Sequence, residues 1–202
     1  MALLKTFFLP KKLCEIAIWN ISENLDELRT LCVKLNGINA ISDDFKAPSR
    51  KKQFLASRLA LSKMIGAANI IYTNTGAPFL AGDKRFVSIS HSNEMAAVIV
   101  GTKKVGIDIE KVSMKIEKIA TKFMHVSEFS FAESTLAKTI CWCVKEALYK
   151  LNGGGKIIFT EDIIVANFDI KPKGTLTAKL KNESYYLYYE LIDEFVLVYV
   201  AN

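Results

Sequence analysis

Two histidines, four cysteines, four prolines and ten glycines are all that 202 residues hold of the types that most often mark a specialised architecture. Two histidines, His91 and His125, are too few for a multi-histidine zinc site. The cysteines are Cys14, Cys32, Cys141 and Cys143, and no two stand at metal-finger spacing; Cys141-Trp142-Cys143 is C-x-C. In a chain of this length without a secretion signal they read as reduced thiols. So little Gly and Pro excludes collagen-like or linker-dominated sequence. No apolar run reaches the roughly 18–20 residues needed to span a bilayer. The N-terminal stretch MALLKTFFLPKKLCEIAIW is broken by Lys5, Lys11 and Lys12 and is followed by no small-residue cleavage site, so it is not read as a signal peptide. The expectation is a cytoplasmic protein.

What is present is apolar residues in abundance, 50% of the chain, with 24% charged. That is enough for a core and excludes a disordered chain. The length admits one large domain or two of about 100 residues. Lys plus Arg is 27 against 21 Asp plus Glu, a net charge of +6. A basic surface suits anionic partners: nucleic acid, phosphorylated small molecules or an acidic protein.

Periodicity organises the chain. Ile16–Trp19 reads as a strand, and Ser22-Glu23-Asn24 caps a helix running to about Leu35. Arg50 to Ile65 reads as a stronger helix, with a stripe of Phe54, Leu55, Leu59, Met64 and Ile65. Thr73 to Pro78 is a turn or loop, and Phe86–Ser90 and Met95–Val100 are strands joined by Ser92-Asn93-Glu94. Val105–Glu110 follows as another strand. Helical pattern covers about Met114 to Phe123 and Glu133 to Leu151, the latter ended by Gly153-Gly154-Gly155. Short strands are expected at Lys156–Phe159 and Ile163–Ala166, then a meander over Leu176–Lys179, Tyr185–Leu191 and Phe195–Val200. No linker separates the halves. The reading is α+β, with two intimate lobes, residues 1–102 and 103–202, meeting near 101–105.

Four groups of residues carry possible chemistry. Along a strand over Val105–Glu110, Val105, Ile107 and Ile109 share one face, and Gly106, Asp108 and Glu110 the other. Two carboxylates so placed repel unless a cation lies between them, and hard oxygen ligands suit Mg²⁺; a plain exposed acidic face is the alternative. On the Glu133–Leu151 helix, Ile140, Val144, Ala147, Leu148 and Leu151 gather on one side, and Trp142, Lys145, Glu146, Tyr149 and Lys150 on the other. Glu146 and Lys150 are either an ordinary surface ion pair or a third metal carboxylate with a cation one turn away, suited to polarising a phosphate. Ser88, Ser90, His91 and Ser92 cluster where a strand enters a turn; they are either turn chemistry or donors to phosphate oxygens. Arg50, Lys51, Lys52 and Arg58 are either a solvated helix face or a phosphate-holding patch.

Taken together and in order, these segments resemble the Sfp-type 4′-phosphopantetheinyl transferases. The resemblance rests on Gly76-Ala77-Pro78, Ser90-His91-Ser92, Gly106-Ile107-Asp108-Ile109-Glu110 and Trp142-Cys143-Val144-Lys145-Glu146-Ala147-Leu148-Tyr149-Lys150, over roughly Arg50 to Gly155. The last two in tandem are the specific ones. The resemblance implies two similar α+β lobes related by pseudo-twofold symmetry, with antiparallel sheets, packed helices and an active site in the inter-lobe cleft. It implies Mg²⁺ on Asp108, Glu110 and Glu146, also holding the pyrophosphate of coenzyme A, which Lys150 contacts. Ser90 and His91 would contact the nucleotide phosphates, the backbone of Gly76, Ala77 and Pro78 the adenine, and Arg50, Lys52 or Arg58 the 3′-phosphate. Ala77 stands where many members carry Lys, so a charge contact there is absent.

The implied reaction transfers 4′-phosphopantetheine from coenzyme A to a serine of an apo acyl or peptidyl carrier protein and releases 3′,5′-ADP. Glu146 is the first choice to take the serine proton, a metal-activated water the alternative, and Glu146 and Lys150 are the catalytic pair. The partners implied are coenzyme A and an acidic carrier protein, with neither nucleic acid nor membrane, and the protein is expected to be a monomer. Two other readings remain: an Mg²⁺-dependent phosphohydrolase on the same carboxylates, and a nucleic-acid-binding module, against which stand dispersed basic residues and no aromatic RNA-binding motif.

Overall fold

A computed structural model describes residues 3–8, 14–36 and 45–202. Lys11 and Lys12, two of the residues that break the N-terminal apolar stretch, lie outside them. The first sheet is built from β1 (Leu3–Phe8), β2 (Cys14–Asn20), β5 (Phe86–Ser92) and β6 (Met95–Gly101), in the order β1-β2-β6-β5 and antiparallel throughout. The second contains β7 (Val105–Lys111), β8 (Ile163–Val165), β9 (Lys173–Leu180), β10 (Glu183–Ile192) and β11 (Phe195–Ala201), in the antiparallel order β7-β11-β10-β9-β8. A small hairpin of β3 (Ile70–Tyr72) and β4 (Pro78–Leu80) stands apart. The helices are α1 (Leu25–Asn36), α2 (Pro48–Ile65), α3 (Lys115–Phe123), α4 (Thr135–Leu151) and the single turn α5 (Phe159–Asp162), with a 3₁₀ turn over Val126–Ser130. The expected α+β class, antiparallel sheets with packed helices, is what is observed.

Three apolar clusters explain the layering. Ala17, Trp19, Ala96, Val98 and Val100 of the first sheet meet Leu28 and Cys32 of α1 and Leu55, Ala56, Leu59 and Ala60 of α2. The opposite face of that sheet, with Cys14, Ile16, Ile18, Met95, Ala97 and Ile99, meets Val105, Ile107, Ile109, Phe195, Leu197 and Tyr199 of the second sheet. The far side of the second sheet, with Leu176, Ala178, Leu187, Val196 and Val198, meets Ile140, Cys143, Val144, Ala147 and Leu148 of α4 and Phe123 of α3. The order is therefore helices, sheet, sheet, helices. Strands buried on both faces need no polar alternation, which is why every residue of Met95–Gly101 is buried.

Local signals set the ends of the elements. Asn24 Oδ1 accepts from the N–H groups of Asp26 and Glu27, and Glu27 Oε2 accepts from Asn24 N, a reciprocal cap on α1. Ser134 caps α4 by accepting from Ala137 N. Three differences from the sequence reading are informative. Leu3–Phe8, to which the sequence reading gave no secondary structure, pairs with β2. The hairpin of β3 and β4 was visible only as its turn, in which Gly76 takes φ +81°. Lys156–Phe159 is not a strand: Ile158 N donates to Asp162 Oδ2, closing the single turn Phe159–Asp162 of α5.

All four cysteines are free and buried, and burial pushes the thiols of Cys14 and Cys32 up to about 11 and that of Cys141 up to about 12. No helix among the described residues is long and apolar enough to cross a membrane.

One contact sets the distance between α4 and the second sheet. A Cβ placed on Gly106 of β7 would lie 2.0 Å from the carbonyl oxygen of Ala147 and 3.0 Å from Leu151 N. Both obstacles are helix backbone, which a rotamer change cannot relieve. Gly106→Ala is therefore expected to lower the unfolding free energy by about 2–3 kcal/mol, measured by urea denaturation. A variant as stable as the parent contradicts the close approach.

Candidate active site

Because α4 rests on the backbone of β7, its side chains at one-turn intervals hang over the strand. Asp108 points from β7 toward α4 and is 2% exposed, which removes the reading of Val105–Glu110 as a strand with a solvated acidic face. Asp108 Oδ1 accepts from Lys150 Nζ at 2.7 Å and from Ser90 Oγ at 2.6 Å. Lys150 Nζ also donates to the carbonyl of Ile107 at 3.1 Å. Asp108 Oδ2 is the only buried side-chain oxygen or nitrogen among the described residues without a hydrogen-bond partner.

Glu110, half-buried, accepts from Ser92 Oγ at 2.6 Å, and the Trp142 indole favours its ionised form. Burial and the Asp108 charge raise its carboxyl above the usual range. Glu146 is pushed up to about 7, by burial first and then by the charge of Asp108, with a smaller push from Glu110 and opposition from Lys150. Both glutamates feel the charge of Asp108, Glu146 also that of Glu110, and Lys150 is the cation that acts on both. Acids so crowded are deficient in positive charge.

That deficiency tests the expected cation. Among the described residues no group of three His, Cys, Asp or Glu side chains is drawn together tightly enough to hold a metal ion as it stands. The donors nevertheless fit: all are hard oxygens, one oxygen is buried without a partner, and each glutamate carboxyl is raised by burial first and then by the Asp108 charge. Asp108, Glu110 and Glu146 are the residues that would hold Mg²⁺.

Beside this cluster lies a cavity of about 590 Å³ whose lining includes Gly76, Ala77 and Pro78 at the β3–β4 turn, Ser88 and His91 of β5, and Tyr149 and Lys150 of α4. Thr75 Oγ1 donates to the carbonyl of Gly153, tying the hairpin to the end of α4. Arg50 NH1 lies 3.2 Å from His91 Nδ1. A guanidinium only donates, so His91 accepts there and is neutral. Burial depresses its pKa, and the charges of Arg50 and Lys150 push the same way.

The residues nominated from sequence thus fall into three places. Asp108, Glu110, Glu146 and Lys150 form one cluster. Gly76, Ala77, Pro78, His91 and Lys150 line the cavity, whereas Ser90 lies beneath it and faces Asp108. Of the basic residues, Arg50 touches His91, and Lys52 Nζ donates to the carbonyl of Glu23 at 2.7 Å. Arg58 is 7% exposed, lies over the ring of Phe54 at 3.3 Å and donates to Tyr72 Oη at 3.0 Å. It does not belong to a solvated helix face, since its stem and head fill the space between α2 and the β3–β4 hairpin. Sequence reading missed Lys84, Arg85 and Lys104, which also line the cavity. Their signal was weak: basic residues flanking β5 and β6, with no motif around them. Arg85 is held by Asp83 in a fork of 3.0 and 2.5 Å.

Lys145 is a correction of a different kind. The helical wheel put it beside Glu146, away from the core, yet it is wholly buried against Glu128 at 2.9 Å. It also donates to the carbonyls of Phe159 and Ile163. Glu128 in turn accepts from the N–H groups of Val165 and His125. Trp142, half-buried, packs against Phe123 and Phe159. Around Trp142 and Lys145, the side of α4 opposite its core stripe is thus covered by α3, the 3₁₀ turn and α5.

Comparison with known proteins points to the family that the motifs resemble. Residues 104–200 match the model of the 4′-phosphopantetheinyl transferase superfamily. A relative from Aneurinibacillus migulanus, named 4′-phosphopantetheinyl transferase gsp, is 34% identical over 98 residues, 45% of this chain and 41% of that protein. The chain thus spans about two fifths of the length of the relative it matches. The family resemblance read from the motifs is borne out, and its two more specific segments, Gly106–Glu110 and Trp142–Lys150, lie inside the matched stretch.

The two lysines of α4 are expected to separate by experiment. Lys145→Ala strands Glu128 as an unpaired buried charge and should cost about 3–5 kcal/mol of stability. Lys150→Ala also removes the cation beside the buried Asp108, but Ser90 Oγ still donates to that carboxylate and the vacated position, 24% exposed, admits water, so its melting temperature should fall by clearly less than that of Lys145→Ala. Thermal unfolding of both checks this, and equal melting temperatures for the two variants contradict it.

Proposed function

We propose that this chain transfers the 4′-phosphopantetheine group of coenzyme A to a serine of an apo acyl or peptidyl carrier protein, with Mg²⁺, releasing 3′,5′-ADP. The observation that carries the proposal is the union of two features at Lys150. That residue holds the buried carboxylate Asp108 and also lines a cavity of about 590 Å³, a volume in the range of cofactor sites. The family resemblance supplies the reaction class. In this reading the lobe of residues 1–102 provides nucleotide contacts, and the lobe of residues 103–202 provides the carboxylates.

The mechanism follows from what each side chain can do. Asp108, Glu110 and Glu146 would bind the cation, which when bound polarises phosphoryl oxygens and offsets charge on the leaving phosphate. Lys150 presents its ammonium to the pyrophosphate, where charge grows in the transition state. Neutral His91, accepting from Arg50 on Nδ1, carries its proton on Nε2 and can donate that hydrogen to a phosphate oxygen. Arg50, exposed and in contact with His91 of the cavity wall, is the strongest of the three nominated residues for the 3′-phosphate, because Arg58 is buried and Lys52 is spent on the carbonyl of Glu23. The turn at Gly76, Ala77 and Pro78 offers backbone groups to the adenine, and with Ala77 it offers no charge. Glu146 is the residue nominated to accept the serine proton, standing beside the carboxylates of Asp108 and Glu110 that act on it. A net charge of +6 favours encounter with an acidic carrier.

Incubation with coenzyme A, Mg²⁺ and an apo carrier protein is the test. The carrier should gain one phosphopantetheine group by mass, and only when Mg²⁺ is present. Lys150→Ala should lower kcat by roughly 10²–10³-fold, with a smaller change in KM for coenzyme A. An unmodified carrier accompanied by hydrolysis of coenzyme A would favour a phosphohydrolase instead.

A further inference from the structure

Strands β5 and β7 lie side by side where the two sheets meet, yet no backbone ladder joins them, since β5 pairs with β6 and β7 with β11. Side chains bridge the gap. Ser88, Ser90 and Ser92 recur at every second position of β5, so their hydroxyls share one face. Ser88 Oγ accepts from Ile107 N at 3.2 Å, and Ser92 Oγ accepts from Lys111 N at 3.2 Å. Ser90 Oγ donates to Asp108 Oδ1, and Ser92 Oγ to Glu110 Oε2, each at 2.6 Å. All three serines are buried.

A hydroxyl has one hydrogen to give. That of Ser90 goes to Asp108. That of Ser92 goes to Glu110, the alternative acceptor Asn93 Oδ1 lying farther off at 3.3 Å. Ser90 and Lys150 converge on the same oxygen of Asp108, and the other oxygen is the one left without a partner. Neither Ser90 nor Ser92 lines the cavity in which a substrate phosphate would sit, whereas Ser88 and His91 do.

We propose that Ser90 and Ser92 are positioning residues: they orient Asp108 and Glu110 for a divalent cation, in place of the phosphate contact that the sequence resemblance implied for Ser90. This rests on the carboxylate-site reading given above. Short O–H···O⁻ bonds of this kind are among the stronger hydrogen bonds. They fix the rotation of the carboxylate and favour its ionised form, and loss of such an outer donor typically lowers metal affinity roughly 10–100-fold.

The competing explanation is that the serines only stitch the sheets together, and Ser88 separates the two. Each of the three Ser→Ala variants loses a contact across the seam, but Ser88 touches no carboxylate. Mn²⁺ binding to the full chain, with free ion read by electron paramagnetic resonance, should weaken roughly tenfold or more in Ser90→Ala and in Ser92→Ala. Ser88→Ala should stay within about twofold of the parent, and Ser92→Thr, which keeps the hydroxyl, should restore binding to that level. Melting temperatures are read alongside. Should Ser90→Ala not fold, the comparison of Ser92→Ala with Ser92→Thr decides the matter. Binding as tight as the parent in Ser90→Ala and Ser92→Ala, or equal weakening in all three alanine variants, overturns the inference while leaving the cation site intact. A parent protein that binds no Mn²⁺ contradicts the carboxylate-site reading and the inference with it.

Discussion

Strand β7 is buried on both faces, and the site exists because of that constraint. One face, Val105, Ile107 and Ile109, is sealed into the apolar layer shared by the two sheets. The other must meet α4 at backbone distance, which only a residue without a side chain permits at position 106. Asp108 and Glu110 follow at two-residue intervals on that same face. They are carried under the helix, and α4 brings Glu146 and Lys150 over them at four-residue spacing. A carboxylate is thereby held 2% exposed, a state a folded protein tolerates only with charged and hydroxyl partners.

The rest of the molecule holds that arrangement still. On one side, serine hydroxyls from β5 reach the backbone and the acids of β7. On the other, the buried Lys145–Glu128 pair fastens α4 to the 3₁₀ turn, α5 and β8. Trp142 packs among rings on the outside of the helix while its indole favours the ionised form of Glu110. Two successive residues of the helix thus face different surroundings: Lys145 secures it against Glu128, and Glu146 faces the carboxylates of β7. The electrostatic outcome is a cluster whose glutamates are pushed toward protonation by burial and by Asp108, a condition that a bound divalent cation relieves.

Much of this was legible in the sequence, for reasons that can be named. The alternation of Val105–Glu110 put Asp108 and Glu110 on one face, because strand period does not depend on what covers the strand. The spacing of Glu146 and Lys150 likewise follows from helix period. What covered those faces was not legible. Lys145 read as an outer residue because a helical wheel sees only its own helix, and its partner Glu128 is contributed by a 3₁₀ turn packed on the far side. Arg58 read as surface charge because its stacking on Phe54 and its bond to Tyr72 depend on the β3–β4 hairpin folding back on α2. The serines of β5 read as phosphate donors or turn residues. Their bonds to β7 depend on which strands two separate sheets place at their meeting edge, and no local pattern encodes that. Leu3–Phe8 went unread as a strand because an apolar N-terminal stretch raises the question of a leader before that of a sheet edge.

The central claim is that Asp108, Glu110 and Glu146 form one divalent-cation site at the inner end of a coenzyme A cavity. Anomalous scattering from a crystal of the protein with Mn²⁺ and coenzyme A tests it most directly. The account predicts one strong peak in contact with the carboxylates of Asp108, Glu110 and Glu146, with the pyrophosphate beside it and Lys150 turned toward the phosphate. A peak held by other residues, or an occupied coenzyme A site with no metal against Asp108, would contradict it.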